Sequence, residues 1–321
     1  MKIIFTIFAA LLCGCCQLKD NAASVAEKTA EEIGAKFSQS ADCKAPKNAK
    51  IVCADQSKSG IVMIDAQSNN IVWQWTPDRD KTIAPEHKKW FKNIDEVKPV
   101  NGTSQLLVTA SLGGVAIIDI AKDRAVFYAH DNGNLHSAAL LPDGNIVTAA
   151  SDGNHLCLFD KTQNRGTFDT VKKTNYELEF AHGVVWDKKR EILWALGLRQ
   201  IKAFKYIKNP SPELVLVENI DLPAKDFNGH DLYPIPDKDL LFITGEKSVC
   251  VFDPESKKIF TACNEENLKS ISQLNGEIIV LRPEISWYSQ TVRFANGKVA
   301  ATQKNAKFYK ARWLAANTFS E

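Results

Sequence analysis

Three histidines share one local setting. His136 lies in NLHSAAL, His182 in FAHGVVW and His230 in NGHDLYP, each opening an apolar, strand-like run. The chain has six histidines, so half of them stand in this context. A neutral imidazole can ligate a metal, carry a proton or hydrogen-bond. Three that converge can hold one divalent ion, zinc or manganese, with a position left for water or substrate. Glu96, Asp231 or Gln273 could complete or orient that site. Without a metal, the three imidazoles could bind substrate directly, one of them as proton shuttle. The plain alternative is a polar plug of imidazoles and waters in a narrow channel. All three readings stay open here.

Other residues could share the site. Lys269, Lys310 and Arg312 lie in strand-like runs, and strand alternation puts Lys310 and Arg312 on one face. Arg282 ends another run. Arginine matches planar carboxylates and sulfates through paired donors, so an anionic sugar would suit this group. Salt bridges from Arg282 or Arg312 to Asp55, Glu96 or Asp231 would explain the same residues without a ligand. Ser270 and the pair Asp55-Gln56 fall in the same neighbourhood, and Trp287 and Tyr288 could stack on a sugar face or cover the core edge. If there is chemistry, it is a lyase or hydrolase step on an oligosaccharide. A base would remove the proton next to a carboxylate while a metal or arginine stabilises the resulting charge.

A repeat positions these residues. From Ile51 onward, short apolar runs alternate with Asp, Gly, Asn and Pro turns. Runs ending in aspartate recur as VMID, AIID, CLFD and CVFD, with KAFK as a degenerate copy, spaced 41–54 residues apart. About four strands per such unit indicates a β-propeller. The copies count to six blades, with the first lacking its innermost strand. A propeller must close or leave two sheet edges unpaired. Phe308–Leu314 is therefore assigned as the innermost strand of blade one. The second strand begins nine residues after each of His136, His182 and His230, so the three are equivalent residues at one mouth of the channel. The same count offers Glu96 from blade two, Lys269 or Ser270 from blade six, and Tyr309 or Lys310 from blade one.

The segments ADQSKSGIVMID, HSAALLPDGNIV, AHGVVWD with LWALG, GHDL, LKSIS and FYKARW resemble a family of secreted bacterial six-bladed propellers of unknown function. The resemblance spans Ile51 to about Leu314. It implies the fold, the blade register and the importance of the histidine ring, and it implies no activity. A more distant similarity of arrangement, without shared motifs, is to oligogalacturonate lyases, whose propellers hold a divalent metal with histidines.

The remaining histidines read differently. His87 belongs to a short helical insertion, PEHKKWFKNIDE, whose Trp90 and Phe91 roof the channel or anchor the loop. His130 and His155 read as surface turn residues. Cys53, Cys157 and Cys250 read as small buried residues, while Cys43 and Cys263 could pair in an oxidising compartment. Lys plus Arg number 40 and Asp plus Glu 38, a balance that argues against a nucleic-acid partner.

The N-terminus places the protein. Lys2 precedes an apolar run too short to span a bilayer, ending in LCGCC. Leu12-Cys13-Gly14-Cys15 resembles a bacterial lipobox, which implies cleavage before Cys15 and lipid on its thiol. The expected organisation is a signal peptide at 1–14, a partly helical tether at 15–50 and a propeller at 51–321. A lipid-anchored monomer of the bacterial cell envelope follows, touching the membrane through its lipid alone. Its expected role is to bind or process a small, anionic, carbohydrate-like ligand at the histidine mouth. The alternative is a non-catalytic propeller that docks another envelope protein. Cys15→Ala should abolish lipid labelling and release the protein from membrane fractions. Labelling that persists in this variant would assign the lipid to another cysteine.

Overall fold

A computed structural model describes residues 25–40, 42–161, 171–225 and 227–321. Cys15 and the signal segment lie outside these residues. Numbered β1 to β24 along the chain, the strands form six four-stranded antiparallel sheets. The innermost strands are β4 (Ile94–Val100), β8 (Leu135–Leu140), β12 (Gly183–Asp187), β16 (Asp231–Pro234), β20 (Ser270–Leu274) and β24 (Phe308–Trp313). They belong to blades two to six and, in the case of β24, to blade one. There β24 pairs with β1 (Lys50–Asp55), matching Ile51 with Trp313 and Cys53 with Ala311. The last strand of the chain thus completes the first sheet and no blade edge is left facing a gap.

Aspartate explains the repeat. At the end of the third strand it turns the chain by accepting backbone amides two or three residues on: Asp65 from Gln67 and Ser68, Asp119 from Lys122, Asp253 from Glu255. Blade four has Lys205 there instead, and its outer hairpin continues. Its strands β14 (Gln200–Ile207) and β15 (Glu213–Asp221) are the longest in the molecule among the described residues. The fourth strand of blade three is β11 (Lys172–Glu177), whereas the sequence pattern favours GTFDT, which lies outside the described residues.

Six apolar clusters fill the six blade interfaces. Cys53, Cys157 and Cys250 are buried as expected, and all five described cysteines are free, so Cys43 and Cys263 are not paired. The segment read as a tether carries a helix at 25–38 that packs on blades five and six. It buries Ala26, Thr29, Ala30 and Ile33 while Val25 stays exposed. Gly34 lets this helix lie on β19 (Lys258–Cys263), since a Cβ there would meet the Ala262 carbonyl oxygen at 2.3 Å. Among the described residues no helix is long and apolar enough to cross a membrane.

Trp313 is buried between blades six and one, and its Nε1 donates to the Glu277 carbonyl at 3.0 Å. Trp313→Ala should cost about 3–5 kcal/mol in urea unfolding. Truncation before Phe308 should abolish cooperative unfolding. An unchanged midpoint in the truncated protein would contradict closure by β24.

Candidate functional site

Backbone register sets the ring at the mouth. His182, His230 and Lys269 each donate their backbone N–H to the second strand of their blade, just ahead of β12, β16 and β20. In β8 a bulge at His136 separates the Leu135 and Ser137 pairs, and in β4 a bulge at Asp95 separates Ile94 and Glu96. Asp95, not Glu96, is therefore the blade-two equivalent of His136. In blade one the strand is irregular between Phe308 and Ala311, and Tyr309 takes the mouth position, its ring 5.3 Å from that of His136. The mouth comprises Tyr309, Asp95, His136, His182, His230 and Lys269. Glu96, Asp231, Ser270 and Lys310 form the layer beneath.

The imidazoles pack on one another. His136 and His182 stack with centroids 4.3 Å apart and planes at 10°, and His230 meets His182 edge-on at 5.5 Å. They are only 3–6% exposed. Burial, reinforced by Lys310 and Lys269, holds all three in the neutral form. His136 lies well below the ordinary range, His182 is lowered to about 3 and His230 to about 2. His182 Nδ1 faces the Phe180 carbonyl at 3.0 Å, so it carries the proton. Lys269 Nζ donates to His230 Nε2 at 3.2 Å. The Nδ1 atoms of His136 and His230 are buried without a partner.

This geometry does not fit one shared metal ion. A ligand bond lies in the plane of its imidazole, and two parallel, stacked planes have no common point for the ion. Among the described residues no group of three His, Cys, Asp or Glu side chains is arranged to hold a metal.

Below the mouth, the axis is filled by ions. Arg312 directs Nε and Nη2 to Glu96 at 2.9–3.1 Å, Nη1 and Nη2 to Asp231 at 2.6–2.7 Å, and Nη1 to the Ile271 carbonyl at 2.9 Å. Its guanidinium covers the Tyr233 ring at 4.0 Å. Lys310 reaches Glu96 at 3.2 Å, Asp231 at 3.1 Å and the carbonyls of His136 and His230. Lys98 donates to Ser137 Oγ, the Ala138 carbonyl and the Val184 carbonyl at 2.8–3.1 Å. Burial disfavours ionised Glu96 and Asp231, but Arg312 and Lys310 outweigh it and hold both below the usual carboxylate range. Burial lowers Lys98 to about 8.

The expected site residues thus separate. His136, His182, His230 and Lys269 stand together at the mouth. Glu96, Lys310 and Arg312 form a buried core whose donors are taken by the protein, so they are structural ties and not free ligand contacts. Ser270 exchanges hydrogen bonds with the backbone of Ala311 and joins blade six to blade one. Arg282, which follows the Leu281 that pairs with Lys269, directs its guanidinium to Glu265. Trp287 is half exposed, and its Nε1 donates to Gln56, which donates in turn to Asp95 at 2.7 Å. Burial pushes Asp95 up to about 8 against these hydrogen bonds. The sequence reading missed Asp95, Lys98 and Tyr233. The consecutive acids Asp95-Glu96 in an apolar run were the signal for the first. Two other readings change: His155 is half-buried with Nε2 2.6 Å from Asp131, and His130 lies against Trp90 at 4.8 Å, so neither is a free surface residue. His87 stacks on Trp90 at 3.7 Å and Phe91 is fully buried, which anchors the insertion to blades one and two.

The neutral imidazoles have a stability consequence. Their folded pKa values lie below the ordinary value of 6.5. The unfolded chain therefore binds more protons between about pH 6.5 and 3, and stability must fall as pH falls through that window. Asp95, raised to about 8, acts in the opposite sense between its two values. His182→Gln should flatten the dependence of unfolding free energy on pH between 6.5 and 4 by up to about 1.4 kcal/mol per pH unit. An unchanged slope would mean that His182 protonates within the folded protein.

A crystal structure of a protein of unknown function from Bacteroides caccae superposes with a TM-score of 0.54 at 14% identity, covering 83% of this chain and 99% of that one. The Kuenenia stuttgartiensis hydrazine synthase superposes with a TM-score of 0.43 at 13% identity, covering 63% of this chain and 64% of that one. No curated protein matches in sequence. The family model of the family of unknown function DUF6528 matches residues 5–321, and the chain belongs to that family.

Proposed function

We propose that this propeller binds a small anionic ligand, of the carboxylate or sulfate type found in acidic sugars, at its histidine-lined mouth. The expected setting is the bacterial cell envelope, with the lipid on Cys15 as anchor. The observation that carries the reading is the pairing of Lys269. Its ammonium lies 3.2 Å from His230 Nε2 and 3.2 Å from Asn267 Oδ1, both neutral acceptors. No carboxylate stands within ion-pair distance of it among the described residues. The neighbouring imidazoles are neutral and supply no counter-charge, and two of their nitrogens lack partners. An anion would satisfy both deficits, accepting from Lys269 and from imidazole N–H groups. Phe180 and Tyr309 border the rings and offer apolar faces to a sugar.

A second reading rests on a different surface. On the outer strand of blade four, Val215, Leu216 and Val217 are 41–53% exposed, an apolar edge of the kind that docks another chain. It would suit the docking role and needs nothing from the histidine mouth.

Burial lowers Lys269 to about 8, so the anion-binding charge is present below that pH and is lost above it. Titration calorimetry with uronate and sulfated sugars should show affinity falling as pH rises through about 8. Lys269→Ala should weaken binding about tenfold or more, equivalent to roughly 1.4 kcal/mol. Equal affinity for neutral and acidic sugars, or wild-type affinity in Lys269→Ala, would overturn this reading.

A further inference from the structure

The innermost strands end, away from the histidines, around a second space. A cavity of about 470 Å³ opens there between blades two, three, four and five. This volume is within the range of small-molecule sites, roughly 300–1,000 Å³. Its walls mix polar groups with an apolar part formed by Leu107, Ile117, Leu140 and Trp186. Three charged side chains line it: Lys98, Lys161 and Glu321.

These charges do not cancel. The Glu321 carboxylate accepts the backbone N–H groups of Asn101 and Gly102 at 2.5 and 2.7 Å. Lys98 lies 4.0 Å from Glu96, whose charge is already shared by Lys310 and Arg312. Lys161 sits over the Phe127 ring at 5.4 Å and has no carboxylate within ion-pair distance among the described residues. Burial alone lowers its pKa, the mark of an ammonium desolvated without a counter-ion. Trp186 adds a buried Nε1 with no partner. The tail reinforces the wall, with Ser320 Oγ donating to the Trp186 carbonyl at 2.7 Å.

We infer that this cavity is a second binding site, which takes an amphipathic monoanion: an apolar chain or ring system ending in a carboxylate or sulfonate. The apolar part of the wall takes the body, and Lys161, which has no carboxylate partner among the described residues, takes the head. The site is independent of the histidine mouth, because the Arg312 ion core separates the two ends of the channel.

Anilinonaphthalene sulfonate is a direct probe, with decanoate as competitor and decanol as its neutral control. The wild-type protein should bind the probe saturably at one site, and decanoate should displace it where decanol does not. Lys161→Glu should weaken probe binding about tenfold or more, Lys161→Arg should retain it, and Lys269→Ala should leave it unchanged. Val126→Trp, at the half-exposed rim, should block it by bulk. Absence of saturable binding, equal competition by decanol, or wild-type binding in both Lys161→Glu and Val126→Trp would overturn the inference. The sugar titrations can fail without touching this result, since they report on the opposite mouth.

Discussion

Arg312 lies on the propeller axis with no exposed surface, and all of its donors find acceptors on other blades. Burying an ion costs several kcal/mol unless its partners replace the lost water completely. Here they do so through geometry that only a closed ring provides. Arg312 and Lys310 come from blade one and reach Glu96 of blade two, Asp231 of blade five and the Ile271 carbonyl of blade six. Lys310 also takes the His136 carbonyl of blade three, and Lys98 carries the network to Val184 of blade four. Three cations thus touch all six blades. The strand that supplies two of them is also the strand that closes the first sheet, so the clasp and the core are one feature.

The ion core determines what the channel can be. Ions and side chains occupy the axis below the histidines, so the two mouths are separate environments. The histidine end is polar, tightly stacked and electrically neutral except for Lys269. The far end opens into a cavity of mixed polar and apolar lining, bordered by Lys98 and Lys161. The core also adds to the effect of burial on the charge states above it. Lys310 contributes to holding the three imidazoles neutral, and their neutrality permits His136 and His182 to stack without repulsion.

The fold was legible because it rests on local chemistry repeated from blade to blade. Aspartate turns, apolar runs of strand length and an unpaired C-terminal strand specify blades, register and closure. The convergence of His136, His182 and His230 followed from their equal spacing to the second strand. What spacing could not express was where each second strand begins. In blade two it begins at Gln105 itself, whereas in blades three and four it begins one residue after Asn145 and Glu191, so the same count lands one residue late, on Glu96 in the layer beneath, with Asp95 at the mouth. Nor could residue type separate a ligand-binding arginine from a structural one. Arg312 and Arg282 look alike in sequence, yet one is saturated on the axis and the other pairs with Glu265 near the surface. Spacing could not give ring orientation either: the three histidines converge, but their planes are set by packing against Phe180 and Tyr309. The partly helical tether was legible, but not that its helix packs on blades five and six through Ala26, Thr29, Ala30 and Ile33.

The central claim is that the axial ion network, and not apolar packing alone, holds the blades in one ring. A double-mutant cycle in urea unfolding with Arg312→Met, Glu96→Gln and the pair tests it most directly. Each single change leaves buried charge without its partner and should cost about 3–5 kcal/mol. The double variant should cost less than the sum of the two, with a coupling of roughly 1–3 kcal/mol. Single variants that cost under about 1 kcal/mol, or effects that add within about 0.5 kcal/mol, would contradict the account.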